Sequence, residues 1–314
     1  MALLVGFIVV SDLEHVGDHF RALGWTAPWV LLPYVVINVL DTLGWRCTLG
    51  PDGRGRVPFA SLYLVRMAGE AVNSVTPTAT VGGEPVKAHL LRGFGVRGTE
   101  GVASVVLART ALVVSQAIFV ALGTAALLAY LGRPLAATLW LVALLVMVAL
   151  FALGLVRLQQ RGLTAASWRL ASRVAPRSRL VARLEHAAAA IDDRLHSFYA
   201  AERTAFAQAT ALHLAAWAMG ACEIQLMMWM IGAPVSFLEA FVIESLAQVI
   251  RAAAVVIPGG LGAQEWGGMW LCTTLGMAEP HAVTLWLLKR GREIVFDLVG
   301  LGYLAKRVYR GRAP

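Results

Sequence analysis

Long apolar runs separated by short polar segments dominate the chain, without the two-residue alternation of strands. Five runs approach or exceed the 20 or so apolar residues that a helix needs to cross a bilayer. They are residues 27–49, 101–131, 134–155, 204–231 and 281–303. Because lipid offers the backbone no hydrogen bonds, membrane spans are helices or closed barrels. The unbroken runs of Leu, Val and Ala favour helices.

Proline and glycine interrupt two further apolar stretches. Residues 59–95 are broken at Asn73–Pro77 and at Gly82–Gly83, and residues 235–276 are broken at Pro258–Gly262. Proline removes a backbone donor and glycine loosens the backbone, so each stretch should form two short helices around an irregular turn. Such a turn is tolerated at membrane depth only inside protein or beside a wet cavity. We therefore predict two re-entrant helical hairpins.

Composition supports a membrane protein. Of 314 residues, 58% are hydrophobic and 15% are charged, and the mean hydropathy is +0.68. Soluble domains carry about 25% charged residues. The net charge of +8 does not indicate nucleic-acid binding, because the arginines lie mainly between apolar segments. The cysteines and histidines form no paired metal or redox motif, so we expect no cofactor.

The basic residues also predict a topology. Residues 157–203 hold nine Arg against four acids, residues 50–57 hold two Arg, and the C-terminal tail is basic. With each hairpin counted as no net crossing, these segments share one side, and the acidic residues 11–26 lie opposite. The positive-inside rule then places residues 157–203 and the C-terminus in the cytoplasm. We expect residues 157–203 to be an amphipathic linker whose arginines anchor to anionic lipid.

Each proline break is followed by Glu seven positions later and by Arg 32 positions later. The first set is Pro77, Glu84 and Arg109, and the second is Pro258, Glu265 and Arg290. Both halves read as span, broken hairpin and span. We predict one all-α transmembrane domain over residues 1–314, with inverted repeats at 27–131 and 204–305 separated by the extra span and the linker. Inverted repeats in transporters place substrate near the bilayer midplane.

Charged groups inside spans are candidates for function, because each costs about 2.5–3.5 kcal/mol at the bilayer centre on insertion scales. Arginines and helix N-termini beside the glycine turns would suit a phosphate. The candidate substrate-binding residues are Arg66, Glu70, Asn73, Gly83, Glu84, Lys87, Arg109, Arg251, Gly259, Gly260, Glu265 and Arg290. The structural alternative is that the charges only pair with one another. Arg66 and Glu70, four apart, would then be partners, whereas Glu293 and Asp297 would share a proton or bind a cation.

These motifs carry a resemblance. The strings GEAVNSVTPTATVGGEPVKAHLLRGFGV and ASVVLAR, and later VIPGGLGAQEWG and LLKRGREIVFDLVGLGYL, resemble the flippase-like transmembrane domain of lysylphosphatidylglycerol synthases. Together with DTLGWR, the pattern is also similar to the hopanoid-biosynthesis-associated branch. The resemblance implies a free-standing lipid translocase of the bacterial cytoplasmic membrane. No synthase domain follows Pro314, so aminoacylation of lipid is not expected. The matching motif positions are Asn73, Pro77, Gly83, Glu84, Lys87, Arg109, Pro258, Gly259, Gly260, Gly262, Glu265 and Arg290.

We therefore expect a flippase that moves a phospholipid or isoprenoid-type headgroup between leaflets and is not an enzyme. No nucleotide-binding loop is present, so movement would be downhill or coupled to a proton or ion. Two alternatives stay open. One is a membrane-embedded enzyme that acts on a lipid carrier with Glu84 and Glu265, and the other is a non-transporting partner of a lipid-synthesis enzyme. A homo-oligomer is also left open.

Overall fold

The computed structural model describes residues 13–76, 82–131, 179–254 and 257–310, together with isolated positions between 142 and 157. Every regular element in these ranges is helical, which confirms the all-α prediction. Most of the predicted extra span at 134–155 and of the linker before residue 179 lies outside the described residues. Residues 1–12 and Pro77 also lie outside them.

The first half contains a long helix, a broken pair and a second long helix. Its elements are α1 (Leu13–Leu23), a 3-10 helix (Gly24–Val30), α2 (Leu31–Thr48), α3 (Pro51–Arg56), α4 (Phe59–Val75), α5 (Gly83–Arg92) and α6 (Gly98–Leu131). Pro58 directly precedes α4. Its missing N–H breaks no helix bond there, because the first N–H groups of a helix have no intrahelical acceptor. A single helix over residues 59–95 is therefore excluded, because the helix ends at Val75 and restarts at Gly83.

The second half repeats this order. Its elements are α7 (Arg179–Ala201), α8 (Arg203–Met230), α9 (Phe237–Ala253), a 3-10 turn (Pro258–Gly260), α10 (Ala263–Thr274) and α11 (Glu279–Arg310). Ser236 begins α9 with a capping box, in which its hydroxyl accepts the Glu239 N–H at 3.2 Å and the Glu239 carboxylate accepts the Ser236 N–H at 2.8 Å. Gly276 follows α10 at a φ of 93°, a conformation that favours glycine.

Within the residues that the structure describes, three helical segments are long and apolar enough to cross a membrane: Val16–Thr48, Gly98–Leu128 and Arg203–Met230. They match three of the five predicted spans, so the chain is a multi-pass membrane protein. The helix α11 has 32 residues, which is also long enough. Its middle is heavily charged, and those charges pair inside the bundle as described below.

Helices of each half pack along helices of the other half, an arrangement that we call exchanged packing. Helix α4 packs along α11, α9 packs along α6, and α2 packs along α8. A Cβ at Gly300 of α11 would overlap the carbonyl oxygen of Met67 on α4. A Cβ at Gly123 of α6 would overlap the side chain of Ser245 on α9. Glycine thus permits both of these close helix crossings.

The described part of the linker forms α7, which lies against the bundle. Leu195 and Phe198 are buried in a cluster with Leu107 of α6. Arg194 donates to the Glu202 carboxylate at 2.9 Å, and Arg54 donates to the same carboxylate at 3.2 Å. Arg194 of the linker therefore pairs within the protein rather than acting only as a lipid anchor.

Candidate functional site

A first polar cluster joins helices α2, α4 and α8. The guanidinium of Arg66 donates to Asn38 Oδ1 at 2.6 Å and to Asp41 Oδ2 at 2.5 Å. The other oxygen of Asp41 lies 2.7 Å from Nδ1 of His213 on α8. Asn38, Asp41 and His213 are all buried. The carboxylate that pairs with Arg66 is therefore Asp41 of another helix. Helical spacing alone had predicted Glu70 as this partner.

Lys87 continues this cluster between two carboxylates. Its Nζ donates to Glu70 Oε1 at 2.6 Å and to Glu84 Oε1 at 3.2 Å, although Lys87 is only 6% exposed. The stem of Lys87 lies against Gly69, where a Cβ would overlap it. Such a desolvated ammonium is stable only with compensating charge, which the two glutamates supply.

Asn73 connects the end of α4 to the start of α5. Its Oδ1 accepts the Gly83 N–H at 2.7 Å, and its Nδ2 lies 3.4 Å from Glu70 Oε2. We predicted Gly82–Gly83 as part of an irregular turn, but Gly83 is the first residue of α5. Glycine is required there because a Cβ would overlap the Gly69 carbonyl oxygen of the facing helix.

The first polar cluster surrounds a cavity of about 30 Å³. Such a volume holds a water molecule or two. Its titratable and charged lining residues are Asp41, Arg66, Glu70, Glu84, Lys87, Arg109 and His213. Three carboxylates face three cationic groups, so their formal charges cancel when the histidine is neutral.

A second polar network lies further along α8 around Glu223, which is fully buried. Lys289 Nζ donates to Glu244 Oε2 at 2.6 Å and lies 3.4 Å from Glu223 Oε2. Arg292 Nε lies 2.6 Å from Glu223 Oε1, but the N–H is not aligned with that oxygen. The guanidinium of Arg292 also lies 3.8 Å from the centre of the Tyr34 ring, a favourable cation–π contact.

The second glycine turn has positive φ at Gly259, Gly260 and Gly262, at 57°, 61° and 82°. These left-handed conformations explain glycine at each position. Glu265 follows in the first turn of α10, where its Oε2 accepts the Gly262 N–H at 2.8 Å. Its other oxygen accepts from Nε of Arg290.

Arg290 is held by carboxylates on two helices. Besides Glu265, it donates from Nη1 to Glu293 Oε2 at 2.8 Å. Arg251 donates to the other oxygen of Glu293 at 3.1 Å. Glu293 is thus paired with two arginines, which differs from the predicted proton or cation shared with Asp297. A phosphate at Arg290 would compete with both carboxylates.

The structure sorts the predicted residues into two adjacent groups. The first is Arg66, Glu70, Asn73, Gly83, Glu84, Lys87 and Arg109, and the second is Arg251, Gly259, Gly260, Glu265 and Arg290. The groups meet where the second glycine turn reaches the end of α4, because a Cβ at Gly259 would lie 2.9 Å from the Ser74 carbonyl oxygen. Among the residues that the structure describes, no cluster of His, Cys, Asp and Glu could hold a metal ion.

Sequence reasoning missed Asp41, His213 and Glu223 as site residues. All three lie within the predicted spans 27–49 and 204–231, so the rule that flags every ionisable group in a span identifies them. Nothing local in the sequence indicates that His213 of α8 faces Asp41 of α2.

A larger cavity of about 290 Å³ lies between the end of α8, the start of α9 and the end of α10. Its lining is mainly apolar, including Met228, Val242 and Leu275, with Glu239, Cys272 and His281 as ionisable members. It shares no lining residue with the cavity of the first polar cluster.

A sequence profile described as the lysylphosphatidylglycerol synthase TM region matches residues 1–300. Neither a curated protein nor a solved structure gives a significant match to the chain.

Proposed function

The chain belongs to the family of the lysylphosphatidylglycerol synthase transmembrane region, and from this membership we propose that it is a flippase that moves lipid headgroups between leaflets. The family supports a membrane lipid-related role. The observation that carries the proposal is the first polar cluster, in which acids and bases surround a small cavity inside a membrane protein. We propose the bacterial cytoplasmic membrane as its location, with the C-terminus in the cytoplasm.

The chemistry of the cluster suits a phospholipid headgroup. Arg66, Lys87 and Arg109 line the cavity and offer the charge-assisted hydrogen bonds that phosphate accepts. Glu70 and Glu84 could in turn accept from an amine or a sugar hydroxyl. In this proposal the headgroup replaces internal ion pairs while the apolar chains stay in lipid.

Helix lengths support two re-entrant hairpins. Helix α5 has 10 residues and α10 has 12, so they span about 15 and 18 Å. The hydrocarbon core is about 30 Å thick, which neither helix can cross. The exchanged packing of α4 with α11 and of α9 with α6 supports inverted repeats. Headgroup entry between the hairpins would then be open to either leaflet in turn.

The alternative of an enzyme with Glu84 and Glu265 as acid and base gains no support from their contacts. Glu84 pairs with Lys87 in one group, whereas Glu265 pairs with Arg290 in the other. No contact among the described residues favours the scaffold alternative either.

Purified protein in liposomes that contain fluorescently labelled phosphatidylglycerol tests the proposal. Dithionite quenches the label only in the outer leaflet, so flipping exposes the inner pool. We expect Glu84→Gln to slow flipping by about tenfold or more, because a charge-assisted hydrogen bond contributes about 1.5–3 kcal/mol. The variant leaves Glu70 beside Lys87, which favours folding.

Arg21→Gln is the matched control, because Arg21 pairs with Asp18 in an exposed contact at 2.5 Å. It should flip lipid at the wild-type rate. Equal quenching in protein-containing and empty liposomes would reject the flippase, and an unchanged rate in folded Glu84→Gln would reject the site. Near-complete loss of folded Glu84→Gln in size-exclusion chromatography would contradict the argument that Glu70 suffices for Lys87.

A further inference from the structure

We propose that His213 is the proton-binding group of the first polar cluster and takes up one proton with each anionic headgroup that binds. The inference rests on the proposed function, since it names the coupling ion of the same site. It concerns a residue that neither the sequence motifs nor the family membership singles out.

The hydrogen bonds of His213 define its tautomer. Its Nδ1 lies 2.7 Å from Asp41 Oδ1, and Arg66 holds the other Asp41 oxygen at 2.5 Å. An ionised carboxylate only accepts hydrogen bonds, so Nδ1 carries the hydrogen and Nε2 carries the lone pair. The order Arg66, Asp41, His213 thus orients the ring and stabilises an added positive charge on it.

The Nε2 atom is the position left for a proton. It is buried without a hydrogen-bond partner among the described residues, and the whole residue is 2% exposed. It lies against Gly44 of α2, where a Cβ would approach it to 2.8 Å. The ring also lines the cavity of the first polar cluster, where a water molecule could deliver the proton.

The groups that face His213 come from four helices. Asp41 lies on α2, Arg66 and Glu70 on α4, Glu84 and Lys87 on α5, and Arg109 on α6. Helix α8 also packs against α7, whose Arg194 pairs with Glu202 before the start of α8, and against α9 and α11. On α9 and α11, Glu244, Lys289 and Arg292 pair around Glu223, ten residues or about 15 Å further along α8. Arg251, Arg290 and Glu293 of the same two helices pair in the second group.

The charge balance of the cluster couples binding of the headgroup to binding of the proton. With neutral His213 the three acids and three bases cancel, so a bound monoanionic phosphate would leave one uncompensated negative charge. Burying such a charge is costly. A proton from solution on Nε2 restores neutrality without any other bond change. By linkage, the headgroup favours protonation and the proton favours headgroup binding to the same extent.

Calorimetry on the full chain in nanodiscs tests the proposal, with short-chain phosphatidylglycerol as the probe. Titrations in two buffers of different ionisation enthalpy report the protons taken up per lipid. At pH values where His213 is neutral in the free protein, we expect uptake to approach one proton. The dissociation constant should there rise by up to about tenfold per pH unit. Phosphatidylcholine, which carries no net charge, should bind without uptake.

His213→Asn is the informative variant, because its amide can still donate to Asp41. It should bind phosphatidylglycerol with no uptake and no dependence on pH between about 6 and 8. His281→Asn is the control, since His281 stacks on His19 outside the cluster. It should behave as wild type. Inorganic phosphate, the second probe, should bind more weakly than the lipid.

Unchanged uptake in His213→Asn, uptake absent from wild type, or loss of folding in this variant would overturn the proposal. Equal affinity for inorganic phosphate would overturn the headgroup as its ligand. Failure of the proposed function has a different signature, in which wild type binds lipid with uptake but does not accelerate its movement between leaflets.

Discussion

In this protein, buried carboxylates hold cationic side chains in place. Glu265 is the clearest case, because one oxygen accepts the Gly262 N–H of the glycine turn and the other accepts from Arg290. The residue therefore fixes both the turn before α10 and a guanidinium on α11. Without Glu265, Arg290 would keep only Glu293, a carboxylate that it shares with Arg251, and breaking a buried pair costs about 3–5 kcal/mol.

We predict that Glu265→Ala lowers the free energy of unfolding by about 3–5 kcal/mol. Glu265→Gln should cost about 1–3 kcal/mol, because its amide oxygen still accepts from Gly262 and Glu293 still pairs with Arg290. The control Glu239→Ala removes part of an exposed helix cap and should cost about 1 kcal/mol. SDS titration of detergent-solubilised protein measures all three. A Glu265→Ala cost no larger than that of the control would contradict the prediction.

Close helix crossings depend on glycine, which has no side chain. At the crossing of α11 and α4, the backbone of Gly300 approaches the Met67 carbonyl closely enough to exclude a Cβ. At Gly302, two residues further along the same helix, a Cβ would meet no atom within 4 Å. The two glycines therefore differ in role, although the sequence presents them as a similar pair.

We predict that Gly300→Ala lowers the free energy of unfolding by about 1–3 kcal/mol, because α4 and α11 must separate. Gly302→Ala is the matched control and should be neutral or stabilising by up to about 1 kcal/mol, since alanine favours helix. Thermal unfolding followed by circular dichroism compares them. Similar melting temperatures for both variants would show that the crossing is looser than the structure indicates.

At the scale of elements, the sequence predicted helices well because apolar length and proline breaks are local signals. It predicted pairing poorly because partners come from different helices. Arg66 illustrates this limit: its neighbour four residues on is Glu70, but its carboxylate partner is Asp41 of α2. The requirement for glycine at position 83 could not be predicted for the same reason. A Cβ at Gly83 would overlap Gly69 only because α4 and α5 pack together.

At the scale of the whole molecule, the distribution of arginine predicts the topology. Residues 157–203 and the tail should face the cytoplasm, and the segment before α2 should face the opposite side. Trp25 precedes the first predicted span and Tyr309 follows the last one, and neither side chain is buried in the protein, so both positions suit chemical labelling. The native cysteines are Cys47, Cys222 and Cys272, and all three would first be replaced.

We predict that a membrane-impermeant maleimide labels Trp25→Cys in intact cells, because the predicted topology places the acidic N-terminal segment outside. Ser197→Cys on α7 and Tyr309→Cys on α11 should react only after the membrane is permeabilised. Total labelling in detergent normalises each variant. Reaction of Tyr309→Cys in intact cells would reverse the predicted orientation.

Under the proposed coupling to His213, the cancelled charges around the first cavity would also determine which force drives transport. A membrane potential of 100 mV performs about 2.3 kcal/mol of work on each elementary charge that crosses. A monoanionic headgroup that travels with one proton carries no net charge, so voltage would perform no work on the pair. Transport would then respond to a pH difference between the two sides and to lipid asymmetry, and it would be electrically silent.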